Sequence, residues 1–192
     1  MMIAATPFQQ LEIAVNGARS HLASVETISL LDHWARLAAT GYPRREAIDP
    51  VEFVPALPFI WMLDYERGSG RFRSRLAGDA VRDLYRTNMT GTYLEDILAP
   101  HDFDWAAGMF RRSLTAPAIL AVRGRIFTHR REPGFGERLA LPLFDAQGQG
   151  TGLIGVAFRA FDLNSSPLPK NAMERLLAIY PLDSGAPEIV RQ

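Results

Sequence analysis

The sequence contains no cysteine, which excludes disulfides, thiol nucleophiles and cysteine-ligated metal. Lysine is almost as scarce. Lys170 is the single one, so 20 of the 21 basic side chains are arginine. Arginine used this heavily reads either as bidentate recognition of carboxylate or phosphate, or as a compositional bias spread over exposed faces. No apolar run approaches the roughly 20 residues that cross a bilayer. MMIAATPFQQ offers no basic stretch ahead of an apolar core, so no secretory signal is read there. Neither sign of charge prevails, with 21 basic against 21 acidic side chains, unlike the basic footprint of a duplex-binding surface. Also missing are a phosphate-cradling glycine loop, a nucleophile elbow and a zinc motif; the four histidines show no metal spacing. These deficits lead to the expectation of a cytoplasmic protein that is not an enzyme and engages neither nucleic acid nor membrane.

What is present is an ordinary globular composition. At 192 residues and 47% hydrophobic, the chain suits one domain of roughly 100–150 residues plus extensions. Residues 1–20 lack sustained periodicity and read as a loose tail. A helix is predicted over 24–39, capped by Ser24 and stopped by Gly41 and Pro43. Its apolar residues, Ile28 to Ala38, cover half the circumference, wider than the ~100° stripe a surface helix needs. Asp49-Pro50-Val51-Glu52 is a helix start, with Asp49 as cap and Pro50 at the first position.

The stretch 58–98 organises the rest. Phe59 to Tyr65 alternates, Arg67-Gly68-Ser69-Gly70 reverses the chain, and Arg71 to Ala77 returns. On that return Phe72, Ser74 and Leu76 are expected on one face, with Arg71, Arg73 and Arg75 on the other. Asp79, the box Thr92–Glu95 and Asp102 are expected to cap three further helices, the last with Phe103, Ala106, Ala107, Phe110 and Leu114 inward. From Ala118 the period becomes two. Three strands follow, carrying Leu120/Val122, then Leu139/Leu141/Leu143, then 153–161, which is apolar on both faces as a central strand is. Pro142 must occupy a bulge or an unpaired N–H position.

Hairpin, helices, three-stranded meander: this order resembles the PAS domain, in particular stand-alone bacterial PAS proteins. The matching segments are IDPVEFVPALP, RFRSRLAGDAV, TGTYLEDI and LPLFDAQG, within about residues 45–163. The resemblance implies an α+β fold with a five-stranded antiparallel sheet in the order 2-1-5-4-3, helices on one face and an N-terminal flanking helix. The division is then a tail at 1–20, a flanking helix at 21–44, the core at 45–163, and a C-terminal extension at 164–192 with one short helix. It further implies a sensory or interaction module acting in trans in signal transduction, with a signalling protein as partner. A small apolar or anionic ligand would occupy the space between sheet and helices. Flavin trapping by cysteine is ruled out, and no haem or flavin is expected.

Trp61, Arg75, Tyr85, Tyr93 and Phe110 are the candidate ligand-binding residues. The aromatics line a cavity or simply fill the core. Arg75 meets an anionic ligand, or with Arg71 and Arg73 discourages pairing at a sheet edge. The expected interior comprises Trp61, Leu76, Leu84, Tyr93, Phe110, Val122 and Ile154. His101 either ligates haem, if it faces the cavity, or is a polar side chain that faces water. Asp64 is a buried general base on a cone-shaped α+β enzyme or carrier, or an exposed residue beside the turn. The surplus apolar face of the helix 24–39 is expected to build a homodimer anchored by Trp34.

Overall fold

Apolar alternation along the strands divides the interior into two layers, one on each face of a single sheet. The structure is a computed structural model describing residues 7–127, 134–159, 175–183 and 186–191. Its strands are β1 (Ile60–Glu66), β2 (Arg71–Ala77), β3 (Ala118–Phe127), β4 (Gly134–Phe144), β5 (Gly150–Arg159), β6 (Leu176–Pro181) and β7 (Glu188–Arg191). They form one antiparallel sheet in the order β2-β1-β5-β4-β3-β6-β7. The expected order 2-1-5-4-3 is present, extended past β3 by two strands from the C-terminal extension.

Along β4, Leu139, Leu141 and Leu143 turn to the outer face and Ala140 to the inner; on β5, Ile154 and Val156 face out and Leu153 in. Both faces of these strands are covered, and residues 139–144 and 152–158 accordingly carry no charged side chain. Pro142 pairs with Leu153, while the β3–β4 ladder ends at Leu120 and Ala140, so the missing N–H lies beyond it.

The outer face is covered by α1 (Pro7–His21) and α2 (Val25–Ala38). The Ser24 side chain accepts the Thr27 N–H at the start of α2. Leu30, Leu31 and Trp34 are fully buried against the sheet, and the Trp34 indole N–H donates to the Pro142 carbonyl at 2.9 Å. The wide apolar face of α2 is thus covered within the chain, by the sheet and by the 3₁₀ segment Pro50–Phe59. Trp34 is no interface anchor, because none of its surface is exposed. Two further expectations are corrected here. From Pro7 the supposed tail is helix α1, with Leu11, Ala14, Val15 and Ala18 forming an apolar face at helical spacing that Leu22 continues just past its end. From Leu176 the C-terminal extension is strand rather than helix, pairing with β3 with Leu177 and Ile179 inward and Ala178 and Tyr180 outward. Residues 164–174 of that extension lie outside the described residues, as does His129.

The inner face carries α3 (Asp79–Tyr85), α4 (Leu94–Ile97) and α5 (Pro100–Thr115). Their caps are backbone residues Gly78, Tyr93 and Ala99 without side-chain cap bonds, so Asp79, Thr92 and Asp102 do not cap as expected. Asp49 does cap, accepting the Val51 N–H at 3.0 Å.

Candidate ligand-binding site

A chamber of about 80 Å³ lies between the inner sheet face and α3–α5. The sheet contributes Trp61, Leu63, Leu120, Val122 and Ala140; the helices contribute Val81, Tyr85, Leu94, Met109 and Phe110. The Trp61 and Phe110 rings meet at a 32° tilt with centroids 5.5 Å apart, and Phe110 meets Phe72 edge-on at 5.7 Å. A Cβ at Gly155 would collide with the Trp61 ring and the Leu139 carbonyl, so glycine there lets the indole approach β5 closely. The wall is therefore aliphatic and aromatic over most of its extent.

Its polar groups are few. Ser74 is 2% exposed, lines the chamber, and its hydroxyl has no hydrogen-bond partner among the described residues. At the other side Arg138, from the inner face of β4, donates to the Tyr85 hydroxyl at 3.1 Å. A small recess joins the chamber there, bordered by Tyr85, Asp102, Trp105, Arg138 and Arg175. The Arg175 guanidinium lies over the Trp105 ring, 5.2 Å from its centroid. Burial and the neighbouring Arg138 hold Arg175 below the usual guanidinium range, partly offset by Asp102.

Of the candidate residues, Trp61, Tyr85 and Phe110 come together around this chamber. Arg75 and Tyr93 do not. Arg75 is on the outer side, where it and Arg45 each approach the Asp64 carboxylate at 3.3 Å beside an open groove. Tyr93 is half-buried at the sheet edge, its ring under the Arg71 guanidinium and its hydroxyl donating to Glu66 at 3.2 Å. Two interior assignments are also corrected. The register jumps between Met62 and Leu63, so that Leu63 pairs with Ser74 but Met62 with Leu76. The alternation slips by one and Leu76 is 44% exposed, with Ala77 buried in its stead. Ile154 is buried on the outer face instead. His101 is exposed on the first turn of α5, 3.5 Å from Asp102, and does not line the chamber. Asp64 is partly exposed and clamped by two arginines rather than seated at a cavity floor.

Sequence reasoning missed Ser74 and Arg138 as lining residues of the chamber, and Arg175 at the recess beside it. For Arg138 a signal existed, because parity with Leu139, Leu141 and Leu143 puts it on the opposite face. Its neighbour Glu137 is buried on the outer side, 1% exposed. Glu137 accepts the Ala23 N–H at 2.7 Å, the Ser24 N–H at 3.1 Å and the Ser24 hydroxyl at 2.9 Å. Two consecutive residues of β4 thus connect the chamber to the joint between α1 and α2.

Compared with known protein families, residues 22–158 match the family described as PAS domain. The chain belongs to the PAS domain family. No curated protein and no solved structure matches it. Within the PAS domain the chamber lies between the sheet and its inner helices, while α2 of the outer layer falls inside the matched range and α1 and β7 outside it. Among the described residues, no helix is long and apolar enough to cross a membrane, and no group of three or more potential metal ligands is found.

Proposed function

We propose that this PAS domain is a sensory module acting in trans in signal transduction, switched by a small molecule in the inner chamber. The observation that supports this reading is the chamber itself. It is lined from both the sheet and the inner helices, so an occupant contacts both layers at once. A ligand shifts an equilibrium only by its differential contacts with the two states, and one wedged between layers has such contacts. The route outward is short: Arg138 borders the chamber and Glu137 holds the backbone at Ala23 and Ser24. An altered outer layer would then meet a separate signalling protein.

The enzyme reading loses its residue, because Asp64 stands on the opposite side from the chamber, held by Arg45 and Arg75. The test is native mass spectrometry of freshly purified protein beside Ala140→Leu, which fills the chamber. A retained small molecule in the parent that is absent from Ala140→Leu supports the reading. A retained molecule carried equally by both places the ligand elsewhere and overturns it.

A further inference from the structure

A buried hydroxyl left without a partner costs stability, so its presence asks what answers it. Ser74 is such a group. It is 2% exposed, borders the chamber, and its hydroxyl bonds nothing among the described residues. The main chain there is by contrast engaged: the Ser74 N–H donates to the Thr92 carbonyl at 2.8 Å, and its carbonyl accepts the Gly91 N–H at 2.7 Å. Ser74 is thus a held position with one free hydroxyl, whose proton turns to suit an arriving acceptor. Its cross-strand neighbour is Leu63, and β2 is the edge of the sheet. Two further donors border the chamber. One is the Trp61 indole N–H on β1. The other is Arg138, the one charged side chain lining the chamber among the described residues. It bonds the Tyr85 hydroxyl from β4, which β1 and β5 separate from β2 by about 14 Å at ladder spacing. A charged head at Ser74 would therefore be buried with a neutral hydroxyl as its answer, which favours an uncharged one. Between uncharged heads, protons decide. Two hydroxyls share one hydrogen bond and leave an O–H without an acceptor. A carbonyl oxygen takes the Ser74 proton and leaves only a lone pair over, the cheaper group to strand. Size narrows the choice further. At about 80 Å³ the chamber is about half the roughly 150 Å³ that admits benzene, so about four or five heavy atoms suit it better than a ring.

Resting on the sensory reading above, we propose that the chamber recognises a short unbranched aliphatic carbonyl compound, a small ketone or aldehyde, whose oxygen accepts a hydrogen bond from the Ser74 hydroxyl. Its alkyl chain runs inward from the sheet edge, against Leu63, Met109 and Phe110.

The experiment uses the full chain with ¹³C-methyl methionine. Met109 lines the chamber from α5, and Met89 from the loop that bonds the Ser74 main chain. The probes are butanone and its hydrocarbon isostere 2-methyl-1-butene, with butanoate as the charged comparison. Both uncharged probes should move the two methyl signals, and butanoate should bind less tightly than butanone. Ser74→Ala should weaken butanone about fivefold and leave the hydrocarbon as tight or slightly tighter. Hydrocarbon binding also certifies that the variant is folded with its chamber open; if it is not, Ser74→Cys, a weak donor of similar size, gives the same comparison. Trp61→Phe removes the indole N–H and should keep the ratio of the two affinities within about twofold. Butanone affinity unchanged by Ser74→Ala overturns the assignment, as does a loss confined to Trp61→Phe, which places the oxygen at the indole. Tighter binding of butanoate overturns the uncharged head and leaves the chamber as a ligand site. If butanone moves neither methyl, this inference falls, and the retained-mass experiment then judges the sensory reading separately.

Discussion

At the scale of single residues, the buried polar groups carry the sharpest expectations. The Ser74 hydroxyl is enclosed without a partner among the described residues, so its deletion removes a desolvation cost rather than a bond. Ser74→Ala should leave stability unchanged or raise it by up to about 1 kcal/mol in urea denaturation. A loss beyond about 1 kcal/mol would show that the hydroxyl is satisfied in solution. His33 presents the reverse case. It is 4% exposed, and its Nε2 accepts the Asp49 N–H at 3.2 Å, an arrangement that requires the neutral ring. Burial first, then the nearby Arg36, lowers its pKa; Glu52 and Asp49 oppose. His21 is lowered as well, by burial and by Arg123. For both, the unfolded chain binds the proton more readily than the folded one. Stability is therefore fully present above the unfolded value of about 6.5 and is lost as pH falls through it toward the lower folded values. Urea unfolding against pH should show this acid slope, reduced in His33→Gln. An unchanged slope in that variant would mean His33 does not titrate differently in the two states.

At the scale of elements, β4 connects the two layers. Glu137 accepts two backbone N–H groups and a hydroxyl at the start of α2, while Arg138 lies at the chamber. Glu137→Gln removes a buried charge but leaves those donors with a weaker, half-matched acceptor, and should cost about 2–4 kcal/mol. Amide exchange at Ala23 and Ser24 should quicken beyond what the global loss explains. If exchange there simply follows global unfolding, Glu137 does not hold the joint locally. The elements also show where local pattern was sufficient. Strands β3 and β4, through their alternation, β5, through its run apolar on both faces, and the capped helix α2 were readable. Helix α1 was legible in principle, since Leu11, Ala14, Val15, Ala18 and Leu22 follow helical spacing, but two alanines make a faint apolar signal. Strand β6 was not, because LLAIYP lacks decisive propensity and its conformation is fixed by pairing with β3. The slip that exposes Leu76 arises from the β1–β2 register, which no spacing within β2 records.

At the scale of the whole molecule, we propose the outer layer as the surface that meets a partner. Association through it is a proposal with a new basis, since Trp34, Leu30 and Leu31 are buried within the chain. The exposed apolar side chains of α1 and α2 include Ile13 at 49% and Val25 at 62%. A homodimer through this layer should separate on Ile13→Glu or Val25→Glu without loss of melting temperature, as read by light scattering. Trp34→Ala should instead destabilise the monomer by about 3–5 kcal/mol, through the lost burial and the unpaired Pro142 carbonyl. A parent chain that scatters as a monomer removes the homodimer proposal and leaves a heterologous partner.

By itself the sequence determined the alternation of β3 and β4, the unbroken apolar run of β5, the caps at Ser24 and Asp49, the order of hairpin, helices and meander, and from these the family. Such features depend on neighbours a few residues apart, where backbone geometry and side-chain period act directly. The meeting of Arg138, Tyr85 and Arg175 at the recess beside the chamber, the turning of Trp34 inward, and the placement of Arg75 and Tyr93 away from the cavity were decided by the tertiary structure. Each depends on which strand lies beside which and in what register, and on which layer covers which face. A side chain's burial and partners come from elements distant in sequence, so local pattern could name the candidates but not gather them.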